Sequence, residues 1–211
     1  FGIRLGAGAQ YIKIHDMKIS NMWGDGICTG GYPDHIVMQR LLVTNNRRQG
    51  LSITTGTNIQ VLDSEFSFTN GTKPEYGIDI EPDGGATGAY ASNILIDGNY
   101  FHDNVAGGVQ PYVGSKHVTI SNNRFSRMKE GVYAIGSFDG VIKGNSFDNI
   151  KYEEVHLSSN VDSYQIYNNV FRKTSTTGVL TSITGLVGKA TSFITNSGST
   201  HLKVLTNQYG S

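Results

Sequence analysis

The sequence predicts an all-β chain wound as a parallel β-helix, a single-stranded solenoid of about 7–8 rungs, on three observations. The first is a phrase of glycine, aliphatic residue, variable residue and usually another apolar residue, repeated roughly every two dozen positions. The second is an independent register, Asn99-Tyr100-Phe101, Asn123-Arg124-Phe125, Asn145-Ser146-Phe147 and Asn169-Val170-Phe171, with steps of 24, 22 and 24. The third is that short alternating segments separated by Asn, Gly and Ser follow one another without any sustained helical periodicity.

Taken in order, the glycine phrases are Gly2-Ile3-Arg4-Leu5, Gly26-Ile27-Cys28-Thr29, Gly50-Leu51-Ser52-Ile53, Gly77-Ile78-Asp79-Ile80, Gly108-Val109-Gln110-Pro111 and Gly131-Val132-Tyr133-Ala134, with Glu154-Val155-His156-Leu157 as a seventh. Stacked copies turn each variable position into a column. Each asparagine of the second register is expected between short strands, in a left-handed backbone conformation, with its amide bonded to its counterparts above and below. Each phenylalanine is expected in the interior. The rungs span residues 1–175; 176–211 are expected to end the solenoid and to pack in an oligomer, since from Thr174 the Asn-Phe register gives way to Thr, Ser and Gly. Because the chain opens inside a phrase, and an open solenoid end exposes unpaired backbone, a fragment of a longer protein is expected.

At 211 residues and 37% hydrophobic content the chain can bury one sizeable core, and no linker interrupts it, so one domain is expected. A formal charge of zero without runs of Lys or Arg argues against nucleic acid as a partner. No apolar stretch reaches the roughly 20 residues that span a bilayer, so membrane insertion is not expected. The single cysteine, Cys28, leaves stability to ladders and stacking.

Aligning the phrases puts Arg4, Cys28, Ser52, Asp79, Gln110, Tyr133 and His156 in one outward column, about 4.8 Å apart per step. Gly6, Gly30, Thr54, Glu81, Tyr112, Ile135 and Ser158 form a second, and Asp25, Gln49, Tyr76, Gly107, Glu130 and Glu153 a third. The rung Tyr76-Gly77-Ile78-Asp79-Ile80-Glu81-Pro82 puts two carboxylates on one face, with insertions near 69–74 and 83–92 on either side. Loops that interrupt a repeat usually line its binding face.

Asp79 and Glu81 are therefore the candidate catalytic pair for hydrolysis of a glycosidic bond, Glu81 as acid and Asp79 as base. Their Cα spacing of about 6.6 Å lies nearer the roughly 6.5–9.5 Å carboxyl separation of inverting enzymes than the 5–5.5 Å of retaining ones. Tyr76, Tyr112 and Tyr133 offer sugar platforms, Arg47 and Arg48 a clamp for carboxylate or phosphate, and Gln49, Gln110 and Asp25 further polar contacts to a long polymer. His156, about 14 Å along the axis from Asp79, reaches only a distant subsite. The hydrolytic reading requires no cofactor, although Asp79, Glu81 and Asp83 have the oxygen spacing of a Ca²⁺ or Mg²⁺ site. The second half of a calcium loop is missing, with Tyr90 where a bidentate Glu is required.

The Asn and Phe columns, with Asn45-Asn46-Arg47-Arg48-Gln49-Gly50 and Gly77-Ile78-Asp79-Ile80-Glu81-Pro82, resemble the right-handed parallel β-helices of the pectate-lyase-like superfamily over residues 1 to 175. Within it the chain looks most like bacteriophage tail-spike and tail-appendage depolymerases. That resemblance implies a homotrimer on a virion tail or otherwise extracellular, acting on capsular polysaccharide, lipopolysaccharide or wall teichoic acid, with Asp79 and Glu81 matching by position the carboxylates of such enzymes. The Asp-Pro-His-Glu motif of alginate epimerases and the Asn-Thr-Asp, Asp-Asp, Gly-His-Gly series of polygalacturonases are missing. A lyase or epimerase with Arg47 or Arg48 as base, a metal-dependent teichoic-acid phosphodiesterase and a non-catalytic receptor-binding adhesin are the alternatives.

Overall fold

The positions of largest strain show why the chain coils. In the computed structural model, which describes residues 1–82, 88–172, 194–197 and 203–210, left-handed φ recurs in register at the corners between straight segments. One such corner column runs Asp16, Arg40, Asp63, Gly98, Asn122, Gly144, Asn168 and Thr206, all at positive φ. A single left-handed residue turns an extended chain without using a loop, so each rung closes in few residues. Gly98 and Gly144 are glycines for a further reason. A Cβ there would lie 2.7 Å from Asp63 Oδ1 and 2.6 Å from Asn122 Oδ1 respectively.

Between corners lie three parallel sheets, making a right-handed solenoid of about seven turns with no helix among the described residues. The first sheet carries the glycine phrases: Ile3–Leu5, Ile27–Thr29, Leu51–Ile53, Tyr76–Ile80, Gly107–Pro111, 130–135, 153–158 and Ile194–Ser197. The second begins with 10–15 and 34–39 and continues through Gly56–Leu62, Ala91–Asp97 and Ser115–Ser121 to Lys203–Leu205. The third holds the Asn-Phe register, from 17–20 through Glu65–Ser67 and Tyr100–His102 to Gln208–Gly210.

Asn99, Asn123, Asn145 and Asn169 form a buried ladder, each side-chain amide donating to the next Oδ1 at 3.0–3.1 Å, and the ladder continues to Asn207. The same Oδ1 atoms accept backbone N–H groups, for example Asn99 N at 2.8 Å from Asn123. In one respect the expectation is corrected: the left-handed residue is the one before each ladder asparagine, whose own backbone is free to start the strand. Phe66, Phe101, Phe125, Phe147 and Phe171 stack in the interior at centroid spacings of 4.8–5.3 Å.

These rings explain the glycine of the repeated phrase. A Cβ on Gly108 would stand 2.4 Å from the Phe125 ring, and one on Gly131 2.6 Å from Phe147. The two sequence registers are thus one packing unit, a ring seated against the bare Cα of the turn before it. Ile27, Leu51, Ile78, Val109, Val132 and Val155 complete the buried column of the first sheet. At the end of the chain, 194–197, 203–205 and 208–210 pair parallel with the turn before them, Tyr209 opposite Phe171. The expectation for the tail otherwise falls on 176–193 and 198–202, outside the described residues.

Candidate functional site

The first sheet presents its variable columns on one face in the register the repeats predict. Arg4 pairs with Cys28, Cys28 with Ser52, Ser52 with Asp79, Asp79 with Gln110, and Tyr133 with His156. Outward does not mean exposed here. Asp25 and Gln49 are 0% exposed, Asp79 1%, Tyr76 4% and Gln110 8%. These residues, expected to contact a polymer, instead form the floor of the face.

Arg48 organises that floor. Its guanidinium donates to Asp25 Oδ2 at 3.1 Å and to Glu81 Oε1 at 2.5 Å, spanning three turns. Ser52 Oγ donates to Asp25 Oδ2 at 2.9 Å. Gln49 donates to Asp79 Oδ2 at 2.6 Å and takes the Tyr76 N–H on its own oxygen at 2.9 Å. Burial pushes Asp25 upward, opposed by Arg48. Cys28, buried in the same column, has its thiol raised by burial and by the Asp25 charge, which removes it as a nucleophile at neutral pH.

Asp79 is the most perturbed acid of the face. Burial pushes it up to about 8, and the neighbouring Glu81 charge adds to the shift while Arg48 opposes it. Its Oδ1 has no donor as long as the carboxyl is ionised. A proton on the carboxyl removes that deficit, since Glu81 stands within side-chain hydrogen-bonding reach to accept it. The two groups thus form a proton-sharing pair.

Glu81 and Arg48 keep about a third of their side chains exposed, at 29% and 33%, so Glu81 is the member of the pair that solvent reaches. Arg47 takes a separate position: its guanidinium lies 3.9 Å over the Trp23 ring, and Trp23 is 83% exposed. The sequence reading passed over Trp23 as a platform, although it is the only tryptophan of the chain. Tyr112 is 37% exposed on the next turn, and Tyr133 stacks on His156 at 4.3 Å. Of the insertions, 69–74 borders the face, with Thr72 N bonded to Arg47 O; Asp83, and with it the metal expectation at Asp79, Glu81 and Asp83, lies outside the described residues.

Further along, Tyr76 reaches over two turns. Its hydroxyl donates to Glu130 Oε2 at 2.5 Å, which is open to it because Gly107 lies between; a Cβ on Gly107 would be 2.5 Å from the Tyr76 ring. Burial and the Glu130 charge hold the Tyr76 hydroxyl far above the usual phenol range.

Residues 1–205 match the family described as the right handed beta helix region. A Bacillus subtilis (strain 168) protein, described as uncharacterized protein YclG, is 31% identical over 160 residues, covering 69% of this chain and 26% of its own. Among solved structures, the A-module of the Azotobacter vinelandii mannuronan C-5 epimerase AlgE6 superposes with a TM-score of 0.65 at 17% identity, over 96% of this chain and 58% of that one. PfbA, a surface adhesin of Streptococcus pneumoniae, gives a TM-score of 0.59 at 16% identity, over 87% and 50%. The chain therefore spans about a quarter of the curated relative it matches. At such identities the two solved structures show a shared fold.

Proposed function

We propose, from the premise that this chain belongs to the right-handed β-helix family, that it lays an extended bacterial surface polysaccharide along the first sheet and modifies it by proton transfer at Glu81. The observation that carries this reading is the buried Asp79, whose Oδ1 finds no donor, behind a Glu81 that faces outward, a setting in which burial pushes the Asp79 carboxyl up to about 8. Glu81 exchanges a proton with the polymer, and Asp79 supplies or takes up the compensating one. Asp79 is a positioning residue in this scheme, since it does not reach the surface.

Trp23 and Tyr112 provide apolar rings along the polymer, and Arg47 a cation for an acidic unit of it. A carboxylate that can take and release a proton suits abstraction of the proton beside a uronate carboxylate as the bond to the 4-oxygen breaks, the proton passing to that departing oxygen, which is the chemistry of a uronate lyase; an epimerase needs in addition a donor on the opposite face of the sugar. The likeness to an epimerase module and a surface adhesin supports a polysaccharide as the ligand and the cell exterior as the setting.

The test is product analysis on a panel of acidic capsular polysaccharides and wall teichoic acids, with the parent, Glu81→Gln and Asp79→Asn. Near-ultraviolet absorbance from unsaturated ends, or an inverted uronate detected by NMR, supports the reading if Glu81→Gln abolishes it. New reducing ends without unsaturation assign hydrolysis instead. Polymer that co-sediments with the parent but is never altered makes this a binding shaft.

A further inference from the structure

We infer that Glu130, Glu153 and His156 form a binding site for a divalent transition-metal ion of the zinc or manganese type, on the same sheet as Asp79 but two and three turns along it. The inference does not depend on proton transfer at Glu81.

The three side chains each offer one ligand atom, and these atoms lie within 4.8 Å of one another. Glu130 Oε1 and His156 Nδ1 are 3.4 Å apart. Two ligands held about 2.1 Å from one ion at a tetrahedral angle are separated by about 3.4 Å, so the pair already stands at the spacing an ion requires. One imidazole nitrogen with two carboxylates favours zinc or manganese over the all-oxygen shells of calcium and magnesium.

Two features bear on the cluster. Glu130 and Glu153 lie directly opposite each other on adjacent parallel strands, an unfavourable placement for two like charges. That register is the column the repeats set, Tyr76, Gly107, Glu130 and Glu153, and a one-residue slip between Met128 and Glu130 brings the strand into it. Without it, Glu130 would face Tyr152. The surroundings also fix the ligands. The Tyr76 hydroxyl bonds Glu130 Oε2 and leaves Oε1 turned to His156, while the Tyr133 ring stacks on the imidazole at 4.3 Å and sets its plane. Glu130 and His156 keep 17% and 24% of their side chains exposed, so an ion held there would be reached from the solvent side of the sheet. An ion there would take up a carboxylate or phosphate of an acidic polymer.

The experiment strips the full chain of metal and titrates it with Zn²⁺ by calorimetry, and with Mn²⁺ by electron paramagnetic resonance. One ion per chain is expected, with affinity falling at least tenfold in both His156→Gln and Glu130→Gln. In Tyr76→Phe a loss of roughly 10–100-fold at unchanged stoichiometry is expected. Circular-dichroism melts of each variant separate a lost ligand from a lost fold. The site is overturned if the parent binds neither ion, or if folded His156→Gln and Glu130→Gln bind as tightly as the parent.

Discussion

Asp79 couples the site to the stability of the molecule. Its folded-state pKa of about 8 stands above the roughly 3.9 of an unfolded aspartate, so between those values the native chain keeps a proton that the unfolded chain releases. The stability this group contributes is complete below about pH 4 and is lost as pH rises through about 8. Asparagine at 79 has no proton to lose, can accept from Gln49 and can donate to Glu81. Asp79→Asn is therefore expected to melt at the same temperature as the parent near pH 4 and roughly 10 °C or more higher near pH 8.5, in thermal melts followed by circular dichroism. A stabilised variant that no longer modifies the polymer would mark 79 as a position kept for chemistry.

At the level of strands and corners, what could be read from the sequence was whatever repeats as a side chain. The asparagines and phenylalanines recur with one residue type, so both columns were visible, as were the glycine phrases that turned out to be their packing partners. The left-handed corners were hidden because their occupants share a backbone conformation and not a chemistry: Asp16, Arg40 and Asn122 sit in one column. The floor of the site was misjudged for a related reason. Alternation tells which way Asp25 and Gln49 point, while their burial goes with contacts across turns that it does not show, Asp25 with Arg48 and Ser52, and Gln49 with Asp79 and the Tyr76 N–H. The asparagine ladder supplies a prediction at this scale. Asn123→Ala deprives the Asn99 backbone N–H and side-chain amide of their acceptor and leaves the Ile96 carbonyl without its donor. Denaturant unfolding should report a loss of about 2–3 kcal/mol, against less than about 1 kcal/mol for Asn207→Ala at the partly exposed end of the row.

For the molecule as a whole, each turn touches chiefly the turns before and after it, so stability is close to a sum of nearest-neighbour terms. Amide hydrogen exchange should then be slowest in central turns, at Ile78, Val109 and Phe125, and quicken along the axis towards Ile3 and Val170; uniform protection would show a single cooperative block instead. The asparagine ladder adds something the backbone does not. From Asn99 to Asn207 every side-chain amide hands its N–H to the next oxygen in the same sense. Five amide groups aligned head to tail behave as a short wire of dipoles along one corner, buried from Asn99 to Asn169, positive towards the last turn and negative towards the first. Each link polarises the next, so the solenoid carries an electrical direction as well as a structural one.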